Sequence, residues 1–117
     1  MKLIIKEIPP SANKFNNLHW TEKAKIKQDW EWLIFQEATE MRLFNRKLTS
    51  VEILVQIYFA DQRRRDFDNY MAFKGILDGL KKARVIIDDN YKVVKRLSYE
   101  FYVDKENPRT EIILEPK

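Results

Sequence analysis

Val51-Glu52-Ile53-Leu54-Val55-Gln56-Ile57-Tyr58-Phe59 runs, after three residues, into Arg63-Arg64-Arg65-Asp66-Phe67-Asp68-Asn69, and the reading of this stretch decides the fold. Val51, Ile53, Val55, Ile57 and Phe59 alternate with neighbours that include Glu52 and Gln56. That two-residue period belongs to a strand with one buried face. The strand points straight at the arginines and aspartates.

Downstream, Tyr70, Phe73, Leu77 and Leu80 recur every three to four residues, predicting a helix from about 69 to 83, and Lys81, Lys82 and Arg84 suit its C-terminus. Residues 91 to 103 alternate again through Val93, Leu97, Tyr99, Phe101 and Val103, and a short strand over 110 to 115 follows the turn from Asp104 to Arg109. Upstream, residues 2 to 8 read as a strand that ends at Pro9-Pro10, which cannot continue a central strand. Ser11-Ala12-Asn13-Lys14 reads as a polar loop. Ile26, Trp30, Leu33, Ile34, Ala38 and Met41 mark an amphipathic helix over about 21 to 44, with Thr21 as its N-cap. The order β-α-β-α-β-β predicts an α+β fold, a mixed sheet with two main helices against it, in a single domain over 1–117.

The chain has 117 residues, 22 Lys and Arg against 18 Asp and Glu, and a net charge of +4, which favours an anionic partner. Cysteine is absent, which excludes disulfides and cysteine-liganded zinc and fits a reducing compartment, so the cytoplasm is the expected location. No apolar run reaches the roughly 18 residues of a membrane helix, and no signal peptide or membrane association is expected. No glycine-rich phosphate loop is present, which excludes P-loop nucleotide hydrolysis. His19 is the lone histidine, too few for a histidine-rich zinc centre, and reads as a loop or packing residue. Trp20, Trp30 and Trp32 surround the first helix and read mainly as packing, with Trp30 on the buried face.

Chemistry concentrates at Asp66 and Asp68, joined about twenty residues later by Asp88-Asp89. If the chain stays extended, two aspartates two apart point the same way and two oxygens converge. Magnesium takes one or two such carboxylates and fills its octahedron with water and phosphate, and nearby arginines keep the carboxylates ionised and hold phosphate. Each piece has a plainer role. Asp68 suits a helix cap, Asp88-Asp89-Asn90 a turn, and Arg63 to Arg65 a solvated charge cluster. An EF-hand loop starting at Asp66 is excluded, because Met71 and Leu77 stand where glycine and glutamate would be needed.

Three stretches together resemble the RusA-type Holliday junction resolvases, small endonucleases of bacteria that are commonly encoded by phages and prophages. They are Pro9-Pro10-Ser11-Ala12-Asn13-Lys14, then Arg64-Arg65-Asp66-Phe67-Asp68-Asn69 continuing to Lys74-Gly75-Ile76-Leu77-Asp78-Gly79-Leu80, and Val85-Ile86-Ile87-Asp88-Asp89-Asn90. The resemblance implies a homodimer that binds four-way DNA junctions and cuts two strands symmetrically in recombination and repair. Magnesium is the expected cofactor, with manganese as a substitute. It further implies Asp66, Asp68 and Asp89 as metal-binding catalytic carboxylates, assisted by a lysine. Lys74 is the only nearby lysine but lies two residues beyond the family's shortest spacing, where Ala72 stands. Either the helix starts later and a loop absorbs the two residues, or Lys74 is not the equivalent group. DNA contacts are expected from Asn13, Lys14, Arg63, Arg64, Arg65, Lys81 and Lys82. The competing functions are a noncatalytic branched-DNA-binding protein, with Lys92, Lys95 and Arg96 as further phosphate contacts, and a nuclease acting on flaps or other branched DNA.

A helix of about 14 residues spans roughly 21 Å, so Asp66 and Asp68 before it and Asp89 after it fall at opposite ends. Either the loop from Arg84 to Asp89 climbs back, or a twofold partner supplies its Asp89.

Overall fold

The computed structural model describes residues 1–117. Its elements are β1 (Lys2–Ile5), α1 (Ala12–Asn16), α2 (Trp20–Glu40), β2 (Val51–Phe59), α3 (Asp68–Met71), α4 (Gly75–Lys82), β3 (Val94–Val103) and β4 (Arg109–Pro116). The fold is α+β, with a mixed four-stranded sheet in the order β1-β4-β2-β3. β2 and β3 are parallel, while β4 runs antiparallel to both β1 and β2. Parallel neighbours need a crossover, and α3, α4 and the loop after them supply it.

The alternation in β2 is realised in full, since Val51, Ile53, Val55, Ile57 and Phe59 are all buried. They share one core with Leu3 and Ile5 of β1, Ile112 and Leu114 of β4, Trp30, Ile34 and Ala38 of α2, and Ile76 and Leu80 of α4. The other sheet face is polar. There Gln56 donates to Glu100 at 2.9 Å, and Glu111 sits between Lys2 (2.9 Å) and Arg109 (2.7 Å). Burial alone would raise the Glu111 pKa, but the two cations hold it below the usual range.

Several boundaries differ from the sequence-based expectation, each for a local reason. The first strand stops at Ile5, not at residue 8. The segment expected as a polar loop is instead the start of α1, whose Lys14 N–H donates to Ser11 Oγ at 3.2 Å. A five-residue helix is too short to show a period. α2 begins at Trp20 and is capped by His19, whose Nδ1 accepts the Thr21 N–H at 3.3 Å, so His19 rather than Thr21 is the N-cap. It ends at Glu40, where Leu43 N–H donates to the Ala38 carbonyl (2.7 Å) and Arg42 turns left-handed. Met41, Leu43 and Phe44 continued the apolar rhythm past the true end. β3 starts at Val94, because Val93 and Val94 both donate to the Asn90 carbonyl and hold residues 91 to 93 in a turn.

The largest difference is in the second predicted helix, which is two helices broken at Ala72, Phe73 and Lys74. Phe73 turns inward and meets Phe15 and Trp30 edge to face, with ring centroids 5.7 and 5.6 Å away. Its burial bends the chain, and Gly75 makes room beside it: a Cβ there would overlap the Phe73 ring.

Candidate active site

β2 delivers its C-terminal end to a loop that Asp61 organises. The Asp61 carboxylate accepts Arg63 N–H (3.1 Å), Arg63 Nη2 (2.9 Å) and Arg65 Nη2 (2.8 Å). These hydrogen bonds, the Arg63 side chain's first, hold its pKa well below the carboxylate range. Arg65 also donates to the carbonyls of Asp61 and Arg63 and lies 4.0 Å over the Phe59 ring. It is only 16% exposed. Arg65 therefore braces the loop, whereas Arg64, 90% exposed and 3.6 Å from Asp66, projects into solvent.

Asp66 and Asp68 are both exposed. Phe67 between them is already helical, and the Asp66 carbonyl accepts Asn69 N–H at 3.2 Å. The extended path that predicted a common direction for the two side chains is thus not the path taken. Asn69 turns back instead, its Oδ1 accepting the backbone N–H of Asn13 at 3.0 Å. That bond ties the Pro9 to Lys14 segment to the aspartate loop, so Asn13 and the exposed Lys14 border it. Phe67 and Tyr70 anchor the loop on Phe101 of β3, at 4.4 and 5.5 Å between centroids.

Lys74 occupies the N-cap position of α4, exposed, and its carbonyl accepts Asp78 N–H at 3.0 Å. The later helix start, one of the two readings of the motif spacing, is present, and Lys74 stands one turn before Asp78. Asp78 itself pairs with Lys27 across the α2–α4 contact at 3.0 Å.

The second acidic segment lies at the other end of β2 and β3. Asp88 accepts the Asp89 N–H at 2.8 Å, which lowers its pKa, and Asp89 lies 3.6 Å from Lys81. Lys82 is held by Glu31 at 2.9 Å. No three His, Cys, Asp or Glu side chains come close enough within the chain to hold a metal, so Asp66, Asp68 and Asp89 are not gathered at one place in it. Trp30 is buried as expected, while Trp20 and Trp32 are exposed. Two organising residues escaped the sequence reading. An Asp two residues ahead of the arginine run was the available signal for Asp61, and nothing local pointed to the Asn69 contact with Asn13.

Exposed carboxylates on a braced loop among cations are a donor set that suits a divalent cation beside a phosphodiester. The model of the family described as endodeoxyribonuclease RusA matches residues 9–115, and the chain belongs to that family. It is accordingly an endodeoxyribonuclease, a Holliday junction resolvase acting on branched DNA by phosphodiester hydrolysis. No curated protein matches it. No helix is long and apolar enough to cross a membrane.

Proposed function

We propose that the chain acts as a homodimer that cuts four-way junctions by paired symmetric incision in recombination and repair, using Mg2+ or, in its place, Mn2+. The donors suit such an ion, because Asp66 and Asp68 offer exposed, hard carboxylate oxygens of which magnesium needs only one or two. Asp66, Asp68 and Asp89 would hold it, and it would supply Lewis-acid stabilisation of charge on the scissile phosphate. Lys74 and Arg64, both exposed, would counter the charge that develops in the transition state.

One observation carries the dimeric reading: β2 and β3 are parallel. Asp66 and Asp68 follow the C-terminal end of β2, beside the C-terminal end of β3, whereas Asp89 precedes the N-terminal end of β3. Nine paired residues separate these ends by roughly 30 Å. β3 is an edge strand of ten residues with one side unpaired. Antiparallel pairing of two β3 edges about a twofold axis would carry the partner's Asp89 toward Asp66 and Asp68, twice. Exposed apolar side chains lie at both ends of the edge, Phe67, Met71 and Val103 at one and Ile87 and Tyr91 at the other, and this pairing would cover them.

Mixing Asp66→Asn and Asp89→Asn protomers tests the arrangement. A shared site leaves one intact centre in each heterodimer, so junctions are nicked on one strand without being resolved. Inert heterodimers would overturn sharing. Comparing cleavage of four-way, three-way and linear duplex DNA tests the substrate, and equal rates on all three would overturn junction selectivity.

A further inference from the structure

Helices α2 and α4 pack together and end at one corner, each closed by the same pair of backbone bonds. Arg42 and Leu43 donate to Thr39 and Ala38 (3.1 and 2.7 Å), and Arg84 and Val85 donate to Lys81 and Leu80 (3.0 Å each). The residue after the cap in this motif is left-handed and is usually glycine, which has no Cβ to clash. Here it is arginine both times, Arg42 at φ 60° and Arg84 at φ 54°. The loop between α2 and β2 runs beside the end of α4, with Asn45 N–H donating to Ala83 O (3.0 Å) and Lys47 N–H to Arg84 O (2.8 Å). Lys47 is left-handed as well, at φ 55°, and neither glycine of the chain has a positive φ. Cations thus occupy backbone positions that glycine would fill without strain.

Complementing the helix dipoles does not require this many charges, since α4 already has Lys81 and Lys82 in its last turn. Arg42, Arg46, Lys47 and Arg84 are all exposed, and neither residues 41–51 nor residues 79–87 contain a carboxylate. The neighbouring lysines differ: Lys82 is paired to Glu31, and Lys81 lies against Asp89. The corner therefore adjoins the Asp88–Asp89 loop and lies far from Arg63 to Arg65.

We propose that this corner is a second DNA-contact surface, on which Arg42, Arg46, Lys47 and Arg84 hold the phosphates of a duplex arm next to Asp89. Several exposed cations on one corner, none of them paired to a carboxylate, suit the closely spaced phosphates of a DNA backbone. The proposal rests on the chain's action on junction DNA and does not depend on how the metal site is shared.

The test measures binding of a labelled four-way junction without divalent metal, in an Asp66→Asn background that keeps the DNA uncut. Arg42→Gly, Lys47→Gly and Arg84→Gly each relieve a left-handed residue, so the triple variant is expected to melt at or above the parent temperature. Its affinity is expected to fall by about tenfold near 100 mM salt, and the slope of log Kd against log salt by about one per lost contact. Arg46→Gln, at a position without positive φ, weakens binding in the same direction should the triple variant fold poorly. Unchanged affinity and slope in a folded variant would overturn the proposal, as would a change of oligomeric state with DNA binding intact, which would mark the corner as a protein contact. Failure of the nuclease reading is separately visible, as junction binding by the parent chain without cleavage.

Discussion

Asn69 Oδ1 accepts the backbone N–H of Asn13 at 3.0 Å, and through this one bond two segments 56 residues apart frame the aspartate loop. Removing the acceptor loosens the hold of the Pro9 to Lys14 segment on the loop without touching a carboxylate, while Phe15 stays packed on Phe73. Asn69→Ala is expected to lower junction cleavage by about tenfold while costing about 1 kcal/mol of stability, the usual worth of one such bond. Asn69→Asp keeps an acceptor and should recover part of the rate. Cleavage rates set beside melting temperatures check this, and equal rates in all three proteins would contradict it.

Lys74 stands exposed at the start of α4, where its charge has no structural duty. Lys74→Ala is expected to reduce single-turnover cleavage by about 10²-fold with melting unchanged, the size of effect seen when one group stabilising transition-state charge is lost. A fall confined to junction affinity would instead make it a binding residue.

The Asp61 clamp makes a prediction about pH. Hydrogen bonds from Arg63, then from Arg65, hold the folded-state pKa below the unfolded value of about 3.9. A depressed carboxylate contributes stability that is present above the unfolded pKa and is lost as pH falls through the folded one. The amide resonance of Arg63, which donates to Asp61 Oδ1, should therefore stay unmoved by NMR from pH 7 to about 4 and shift only in stronger acid. A midpoint at the ordinary aspartate value would show that the clamp does not form in solution.

The two glycines differ in what they tolerate. At Gly79 a Cβ would lie 2.6 Å from Ile34 Cδ1, a side-chain end that can shift, and alanine regains helix propensity, so Gly79→Ala should cost about 1 kcal/mol. At Gly75 the obstacle is the Phe73 ring, itself wedged between Phe15 and Trp30, so Gly75→Ala should cost about 3 kcal/mol and displace Lys74. Urea unfolding and cleavage rates of both variants check the order.

Much of the architecture was legible because it is written in local periods. The alternation from Val51 to Phe59 corresponds one for one to burial, and the apolar spacing of Ile26, Trp30, Leu33 and Ile34 identified α2. The break at Phe73 was not legible as structure, because Tyr70, Phe73, Leu77 and Leu80 keep a helical rhythm across it. The only hint was the displaced lysine. Phe73 leaves the helical path to fill a space between Phe15 and Trp30, a demand set by residues more than forty positions away.

The sequence by itself determined the α+β class, the aspartates among cations and the family to which their spacing belongs, because strand and helix periods and short motifs depend on neighbours along the chain. Tertiary structure alone decided that Asp61 claims two of the arginines, that Asn69 reaches Asn13, and that β2 and β3 run parallel. That last choice separates Asp66 and Asp68 from Asp89, for strand direction is fixed by which edges pair and which faces bury, and pairing over such distances leaves no period in the chain to be read.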